Sequence, residues 1–226
     1  MNSAIQNNRH LQYRSAGLPH RPRRLLVLSH GVGGNETNLV SLAAHAPEDT
    51  VALLVRGPLA LGPDQYAWFR VAFGPNGPVP DLAAAEESRL RLVRFVAEMQ
   101  ATHGVAPEHT VVGGFSQGGI MSASVALTRP DLVAGFGLLA GRILPEIESQ
   151  LAEPRALAHL QAFIGHGRDD TTLPVEWAYR ADAWLTALQI RHQMELYPTD
   201  HAIPLAMQRD FFAWFDRITS DSHPSS

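Results

Sequence analysis

Cysteine is absent from this chain of 226 residues. Its absence excludes disulfides, a thiolate nucleophile and thiolate metal sites, and it agrees with a reducing compartment. The longest apolar runs are about as long as a β-strand, far short of a bilayer span. The first eight residues lack the hydrophobic stretch of a secretory signal. Together these absences predict a cytoplasmic protein without stable membrane insertion.

Charge of one sign is not concentrated anywhere. The formal net charge is -4, and 18% of the residues are charged. A nucleic-acid or anionic-membrane surface would need clustered positive charge, so neither is an expected partner. The 45% of hydrophobic residues is ample for a sizeable core. We expect one domain over residues 1–226, with flexible ends at 1–10 and 220–226, and a homodimer is left open.

Short apolar runs alternate with helical patterns along the chain. The apolar runs are too short for helices and are typical of buried strands. This alternation predicts an α/β fold, with a mainly parallel sheet and helices on both faces. The predicted core strands are 25–28, 51–55, 110–115, 133–140, 162–165 and 194–197. The predicted helices are 37–46, 82–102, the segment from 117 to 130, 174–188 and 204–218.

Residues 57–80 fit neither pattern. They contain several glycines and prolines together with four aromatic residues. Such composition predicts a long loop without regular structure, and a loop of this length in a compact domain is usually functional or disordered. The aromatic content argues against disorder.

A serine between glycines follows the third predicted strand. Gly114-x-Ser116-x-Gly118 matches a nucleophile elbow, a tight strand-to-helix turn with the serine at its apex. Side chains two residues before and after the serine would collide in such a turn, and glycine removes their Cβ atoms. The pattern alone fits a purely structural turn equally well. The rest of the chain has to decide between the two.

A serine hydroxyl becomes a useful nucleophile only with a base in reach and an acid that orients the base. On this architecture the chain order is serine, acid, histidine. Three histidines lie well downstream of both Ser116 and an acid that follows a strand: His192 begins a predicted strand, His223 lies in the terminal segment, and His201 follows a strand end. We therefore predict His201 as the base.

Two aspartates follow the fifth predicted strand, Asp169 and Asp170. Either could accept a hydrogen bond from the histidine, while the other caps the next helix, and position alone does not choose. An oxyanion site needs donors aimed at the developing charge. The predicted donors are the N–H groups of Gln117, just after the nucleophile, and of Val32 in the glycine-rich loop after the first core strand.

No metal or cofactor is predicted. Gly31-x-Gly33 lacks the third glycine of a dinucleotide-binding turn, because position 36 is glutamate. No phosphate-binding loop, HExxH or EF-hand pattern occurs in the sequence. His30 precedes Ser116 and is predicted to support its loop.

Several short motifs occur in a fixed order along the chain. They are His30-Gly31-Val32-Gly33-Gly34-Asn35-Glu36, Arg56-Gly57-Pro58, Trp68-Phe69, Gly114-Phe115-Ser116-Gln117-Gly118-Gly119, and His166-Gly167-x-x-Asp170-x-x-x-Pro174 followed by His201. From about residue 24 to 217 the sequence resembles the phospholipase/carboxylesterase family of small α/β hydrolases, which includes the acyl-protein thioesterases. The resemblance implies an α/β-hydrolase fold without a large lid domain.

The resemblance also implies residue roles. The acid of its His-Gly-x-x-Asp motif falls on Asp170, and its second oxyanion donor falls on Val32. The segment matching 58–80 edges the acyl pocket, which makes Trp68, Phe69 and Phe73 the predicted walls, with plain core packing as the alternative.

The implied function is a serine carboxylesterase that acts on a small-molecule ester. Position 70 is arginine where the thioesterase branch commonly has aspartate, and Val32 and Asn38 also depart from that branch. The sequence therefore looks closer to the bacterial carboxylesterases. The alternatives are a thioesterase or lysophospholipase with the same triad, and a non-catalytic binding protein on the same fold.

Overall fold

A computed structural model of the chain describes residues 4–74 and 77–220, with the backbone alone at 73, 74, 77 and 78. The strands, in chain order, are β1 (Gln6–Asn7), β2 (Gln12–Gly17), β3 (Arg24–Ser29), β4 (Thr50–Val55), β5 (Leu59–Gly62), β6 (Gln65–Ala67), β7 (Val71–Gly74), β8 (Gly77–Pro80), β9 (Thr110–Phe115), β10 (Gly135–Leu139), β11 (Gln161–Gly167) and β12 (Arg191–Tyr197). The helices are α1 (Val40–Ala43), α2 (Leu82–His103), α3 (Gln117–Thr128), α4 (Pro154–Leu157), α5 (Glu176–Ala187) and α6 (Leu205–Thr219).

Eight strands form the central sheet in the order β1-β2-β4-β3-β9-β10-β11-β12. The six strands from β4 to β12 are parallel, while β1 and β2 add an antiparallel edge. The mainly parallel sheet predicted from the sequence is confirmed. Because parallel strands end at the same edge, the loops after β3, β9, β11 and β12 come together there.

The strand side chains alternate between two hydrophobic layers. Leu25 and Val27 of β3 face a layer covered by α2, α3 and α5, whereas Leu26 and Leu28 face one covered by α1 and α6. All four leucine and valine side chains are fully buried. Burial on both faces explains why the core strands read as continuous apolar runs. No helix within the described ranges is long and apolar enough to cross a membrane.

The prediction of an irregular loop over 57–80 is wrong. The segment forms two antiparallel hairpins, β5 with β6 and β7 with β8. Strands of three or four residues joined by Gly- and Pro-rich turns carry too little periodicity to be recognised in a sequence. The first hairpin is tied to the loop after β3 by two backbone hydrogen bonds, in which the Gly33 N–H donates to the Tyr66 carbonyl and the Tyr66 N–H donates to the Gly34 carbonyl, both at 2.8 Å.

Two smaller predictions also need correction. Gln6 and Asn7, expected to be flexible, pair with Tyr13 and Gln12 as a short edge strand. Helix α1 has four residues instead of the ten predicted over 37–46, and no side chain caps its N-terminus. Such a short helix depends on the packing of Leu42 and Ala43 against the sheet, because isolated helices of this length are unstable.

Candidate active site

Ser116 lies at a sharp turn between β9 and α3. Its φ of 54° and ψ of −116° are unusual for a residue with a side chain. A Cβ atom at Gly118 would lie 1.9 Å from the Ser29 carbonyl oxygen, and one at Gly114 would lie 2.4 Å from the Gly118 carbonyl carbon. The two glycines are therefore required by the close approach of the backbone, as the sequence pattern predicts.

The turn presents Ser116 at the carboxyl edge of the sheet. Its N–H donates to the Leu139 carbonyl at 2.8 Å, which fixes the turn against β10. The residue is 7% exposed and borders a cavity. Among the described residues, none hydrogen-bonds its Oγ, so the hydroxyl is available to a ligand.

Asp170 and His201 are in direct contact at this edge. The His201 Nδ1–H donates to Asp170 Oδ2 at 2.6 Å. The other carboxylate oxygen of Asp170 accepts the N–H groups of Thr172 and Leu173, at 2.9 and 2.8 Å. The buried His166 donates Nε2–H to the Leu173 carbonyl at 2.7 Å. The loop after β11 is thus built to hold one buried carboxylate against His201.

The structure separates the two aspartates that position alone left equivalent. Asp169 is exposed and its backbone N–H donates to the Thr199 carbonyl at 3.1 Å. Asp170 is 4% exposed and carries the histidine. The geometry therefore agrees with the acid implied by the family resemblance.

The structure also separates the candidate histidines. The ring centre of His201 lies 4.7 Å from that of Phe115, the residue before Ser116. His192 instead hydrogen-bonds Asp182 and the Ile190 carbonyl, at 3.0 and 2.8 Å. His223 lies outside the described residues. Of the described candidates, only His201 lies beside the elbow.

The two predicted oxyanion donors border the same cavity as Ser116. Gln117 is the first residue of α3, and the first N–H groups of a helix have no intrahelical acceptor. In the loop after β3, the N–H groups of Gly33 and Gly34 donate to Tyr66 and Gly31. No described group accepts the Val32 N–H. Both donors are thus available where negative charge would develop, beside a helix N-terminus.

The Gln117 side chain has a second role that the sequence does not reveal. Its Oε1 accepts the Trp68 N–H and its Nε2 donates to the Phe69 carbonyl, both at 2.8 Å. Both groups are buried, so the two bonds fix the chain between the hairpins to the elbow. Glutamine after a nucleophile carries no sequence signal for this contact.

The three aromatic residues predicted as pocket walls lie in different surroundings. Phe69 borders the cavity beside Ser116. Trp68 does not, because it is fully buried and donates its Nε1–H to the His30 carbonyl at 2.9 Å. Trp68 is core packing, the alternative reading. Phe73 lies in β7 opposite Pro78, and its side chain lies outside the described part of the structure.

His30 supports the glycine-rich loop, as predicted. Its Nε2 accepts the Gly57 N–H at 2.9 Å, and its Nδ1–H donates to the Gly31 carbonyl at 2.7 Å. Burial lowers the pKa of His30, and the Gly31 hydrogen bond opposes that only in part. A neutral ring is the form that can accept one of these bonds and donate the other.

Two cavities meet at Val32. The first, of about 570 Å³, borders Ser116 and is walled mainly by apolar side chains from the hairpins and α3, such as Leu61, Val71 and Ile120. The second, of about 480 Å³, borders His201 and Phe115. Val32 is 55% exposed and lines both. An ester bound at Ser116 therefore has room on each side of its carbonyl.

Across the described ranges, no three His, Asp or Glu side chains converge in a way that could hold a metal ion. The prediction that the chain uses no cofactor stays a prediction.

Glu36 holds the glycine-rich loop through ion pairs with two arginines. The sequence did not predict this role. Its carboxylate is buried and accepts Arg56 Nε at 2.6 Å and Arg14 Nε at 2.9 Å. Burial alone would raise the pKa of Glu36, but the hydrogen bonds from Arg56 and Arg14 outweigh it and lower the pKa from 4.5 to about 2. The sequence pattern that could have indicated these ion pairs is an acidic residue in a glycine-rich loop, with an arginine at the end of each of two neighbouring strands.

Replacing Glu36 with glutamine should lower the free energy of unfolding at pH 7 by about 3 kcal/mol, because the buried carboxylate that pairs with two partly buried guanidinium groups is lost. A carboxylate with a lowered pKa stabilises the fold above about pH 4.5, and this contribution fades as the pH falls toward 2. Urea unfolding at several pH values should therefore show the difference from wild type shrinking with acid.

The matched control is Glu87→Gln, which removes the carboxylate of an exposed i,i+4 pair with Arg91. It should change stability by less than about 0.5 kcal/mol. A Glu36→Gln variant as stable as this control would contradict the anchoring role.

Comparison with known proteins decides the family. A model of the phospholipase/carboxylesterase family matches residues 16–213. The chain belongs to the phospholipase/carboxylesterase family. The resemblance predicted from the motifs is confirmed, and the family places the chain among hydrolases of the carboxylesterase and acyl-protein thioesterase type.

Similar curated proteins include two fungal members of the family. Acyl-protein thioesterase 1 of Kluyveromyces lactis is 31% identical over 127 residues, which cover 54% of this chain and 53% of that protein. The match thus spans about half the length of this relative. Acyl-protein thioesterase 1 of Emericella nidulans is 26% identical over 69% of this chain and 73% of its own length.

Solved structures confirm the fold. The carboxylesterase of Bacillus cereus has a TM-score of 0.80 at 23% identity, with 93% of this chain and 96% of that chain covered. The esterase PE8 has a TM-score of 0.77 at 25% identity, with 90% and 99% covered. The family and these neighbours confirm the α/β-hydrolase fold without a large lid.

Proposed function

We propose that this family member is a serine carboxylesterase that hydrolyses carboxylic esters through an acyl-enzyme on Ser116. The observation that carries the proposal is the 2.6 Å contact between His201 Nδ1 and the buried Asp170, at the sheet edge where the strained turn presents Ser116. A buried aspartate that fixes the tautomer of a histidine beside a serine elbow is the arrangement that activates a serine hydroxyl.

In the proposed mechanism, Ser116 Oγ attacks the ester carbonyl while His201 takes its proton through Nε2. The negative charge moves to the carbonyl oxygen, where the N–H groups of Val32 and Gln117 stabilise it. Asp170 stabilises the imidazolium formed on His201. Collapse of the tetrahedral intermediate breaks the bond to the alcohol, and His201 returns the proton to the departing oxygen. Water then attacks the acyl-enzyme by the same route and releases the acid.

A second candidate is hydrolysis of acyl thioesters by the same residues. It is favoured by the two fungal relatives, both named acyl-protein thioesterase 1. Thioester cleavage needs the same nucleophile, base and oxyanion donors, so the elbow does not distinguish the two substrates. The cavity wall bears on the choice, since Arg70 stands in it at the position where the thioesterase branch commonly has aspartate.

A substrate panel tests the choice. We expect kcat/KM for p-nitrophenyl butyrate to exceed that for the uncharged palmitoyl thioester of N-acetylcysteamine by at least tenfold, because Arg70 and Arg142 restrict a long apolar chain in the cavity. Both rates are measured at equal ionic strength below micelle formation. A preference for the thioester would reverse the assignment, while absence of both activities with an intact fold would favour the non-catalytic binder.

The predictions of a cytoplasmic location, a small-molecule ester as partner and a homodimer left open stay predictions.

A further inference from the structure

Arg142 is a cation in the wall of the Ser116 cavity. It follows β10, the strand beside the elbow strand, and comes directly after Gly141. A Cβ atom at Gly141 would lie 3.1 Å from the Ser116 carbonyl oxygen, so the chain at this point packs against the nucleophile's own backbone. Arg142 thus lies in a segment whose preceding residue contacts the backbone of Ser116.

The Arg142 guanidinium has no carboxylate partner among the described residues. It stacks 4.6 Å from the ring centre of Trp177, which orients it without neutralising it. Burial lowers the pKa of Arg142, and the charge of the exposed Glu146 opposes that effect from beyond ion-pair distance. Arginine still remains protonated in proteins, so a half-buried positive charge persists beside Ser116.

Arg70 adds a second cation to the same wall. Its backbone carbonyl accepts the Asp81 N–H at 2.8 Å, which ties the base of the second hairpin to α2. Its side chain is exposed, and no described carboxylate pairs with it. None of the described residues that border this cavity is Asp or Glu. The cavity therefore combines largely apolar walls with the positive charges of two arginines.

An unpaired guanidinium in a largely apolar cavity is costly unless a ligand compensates it. Its planar fork suits the two oxygens of a carboxylate or phosphate. We propose that the cavity selects esters that carry an anionic group, a carboxylate or a phosphate, and that Arg142 is the residue that recognises this group, with Arg70 assisting at the mouth. This inference deepens the proposed esterase function and rests on it for the reacting bond.

The test compares acetate esters of phenols that differ in their para substituent. 4-Acetoxybenzoate and 4-acetoxyphenyl phosphate carry the charge, and methyl 4-acetoxybenzoate is the neutral partner. In the wild-type protein kcat/KM for the charged esters should exceed that for the neutral ester. Arg142→Gln should lower the ratio of charged to neutral kcat/KM about tenfold. Arg142→Lys, which keeps the charge but not the fork, should recover part of it. Comparing kcat/KM for the phosphate ester with that for the carboxylate ester shows which anionic group is preferred.

The chain offers a matched control in Arg180. Its guanidinium stacks on the same Trp177 ring at 4.7 Å, but it is exposed and does not border the cavity. Arg180→Gln should leave the charged-to-neutral ratio unchanged. An Arg142→Gln variant that keeps the wild-type ratio, or an Arg180→Gln variant that lowers it equally, would overturn the proposal.

Binding of 4-acetamidobenzoate, measured by calorimetry, separates this inference from the esterase assignment. Its dissociation constant should rise about tenfold in Arg142→Gln, while that of its methyl ester should change much less. Arg142-dependent binding without any ester hydrolysis would refute the esterase and keep the anion site. Ser116-dependent hydrolysis with no Arg142 effect in either assay would do the reverse.

Discussion

Ser116→Ala is expected to reduce kcat/KM for p-nitrophenyl butyrate by about 10⁴- to 10⁶-fold, the range found when the nucleophile of a serine triad is removed. The reason is that no other described hydroxyl lies at a strained strand-to-helix turn with free backbone donors on both sides. The loss should fall mainly on kcat, because the cavity walls that bind the ester are unchanged. Steady-state kinetics, with the enzyme concentration of both proteins taken from absorbance, gives the measurement.

The control for this substitution is a second serine, further along α3. Ser124 is buried, and its Oγ donates to the Ile120 carbonyl at 2.8 Å within α3. Ser124→Ala should therefore retain activity within about threefold and label normally with a fluorophosphonate, whereas Ser116→Ala should not label. Equal labelling of the two variants would place the reactive serine elsewhere.

Asp170→Asn is expected to lower kcat by about 10³- to 10⁴-fold. The amide has nearly the shape of the carboxylate, and its oxygen can still accept the N–H groups of Thr172 and Leu173. It no longer carries the charge that stabilises a protonated His201, and its NH₂ group favours the wrong tautomer of the ring. The midpoint of thermal unfolding should change little, although kcat falls strongly.

Asp169→Asn is the matched comparison, since it makes the same chemical change at the next residue. Asp169 is exposed and contacts the fold through its backbone, so its variant should keep nearly full activity. A large loss of activity in Asp169→Asn together with a small loss in Asp170→Asn would show that Asp169, and not Asp170, is the acid.

The sheet and the elbow were predictable because each rests on a local rule. Buried parallel strands must be apolar on both faces, which makes 25–28 and 51–55 recognisable without a structure. The elbow needs glycine at 114 and 118 because the backbone of Ser29 and His30 lies within contact distance of any Cβ there. Local sterics of this kind leave a mark in a single sequence.

The choice between neighbours was less predictable. Asp169 and Asp170 differ by one position, and in the extended backbone of a loop one position decides which side a carboxylate faces. Only the resemblance favoured Asp170, and the structure agrees through three hydrogen bonds to its carboxylate. The residues alone held no information on this point.

The remaining contacts depend on distant parts of the chain meeting. Trp68 looked like a pocket wall by composition, yet it is buried beneath His30, 38 positions earlier. Glu36 looked like a missing glycine, yet it holds Arg56 and Arg14 from two other strands. Periodicity and turn chemistry describe neighbours along the chain, so they could not predict either partnership.

The amide of Gln117 has a consequence for how new specificities can arise on this scaffold. In the proposed mechanism this residue supplies a backbone donor at the reacting carbonyl, and its side chain holds the chain at Trp68 and Phe69. Positions 70–72 lie just beyond this clamp, and all three border the cavity. Variation there can reshape ligand preference while the chemistry stays in place, which makes this short stretch the evolvable part of the wall and the first place to randomise in a library.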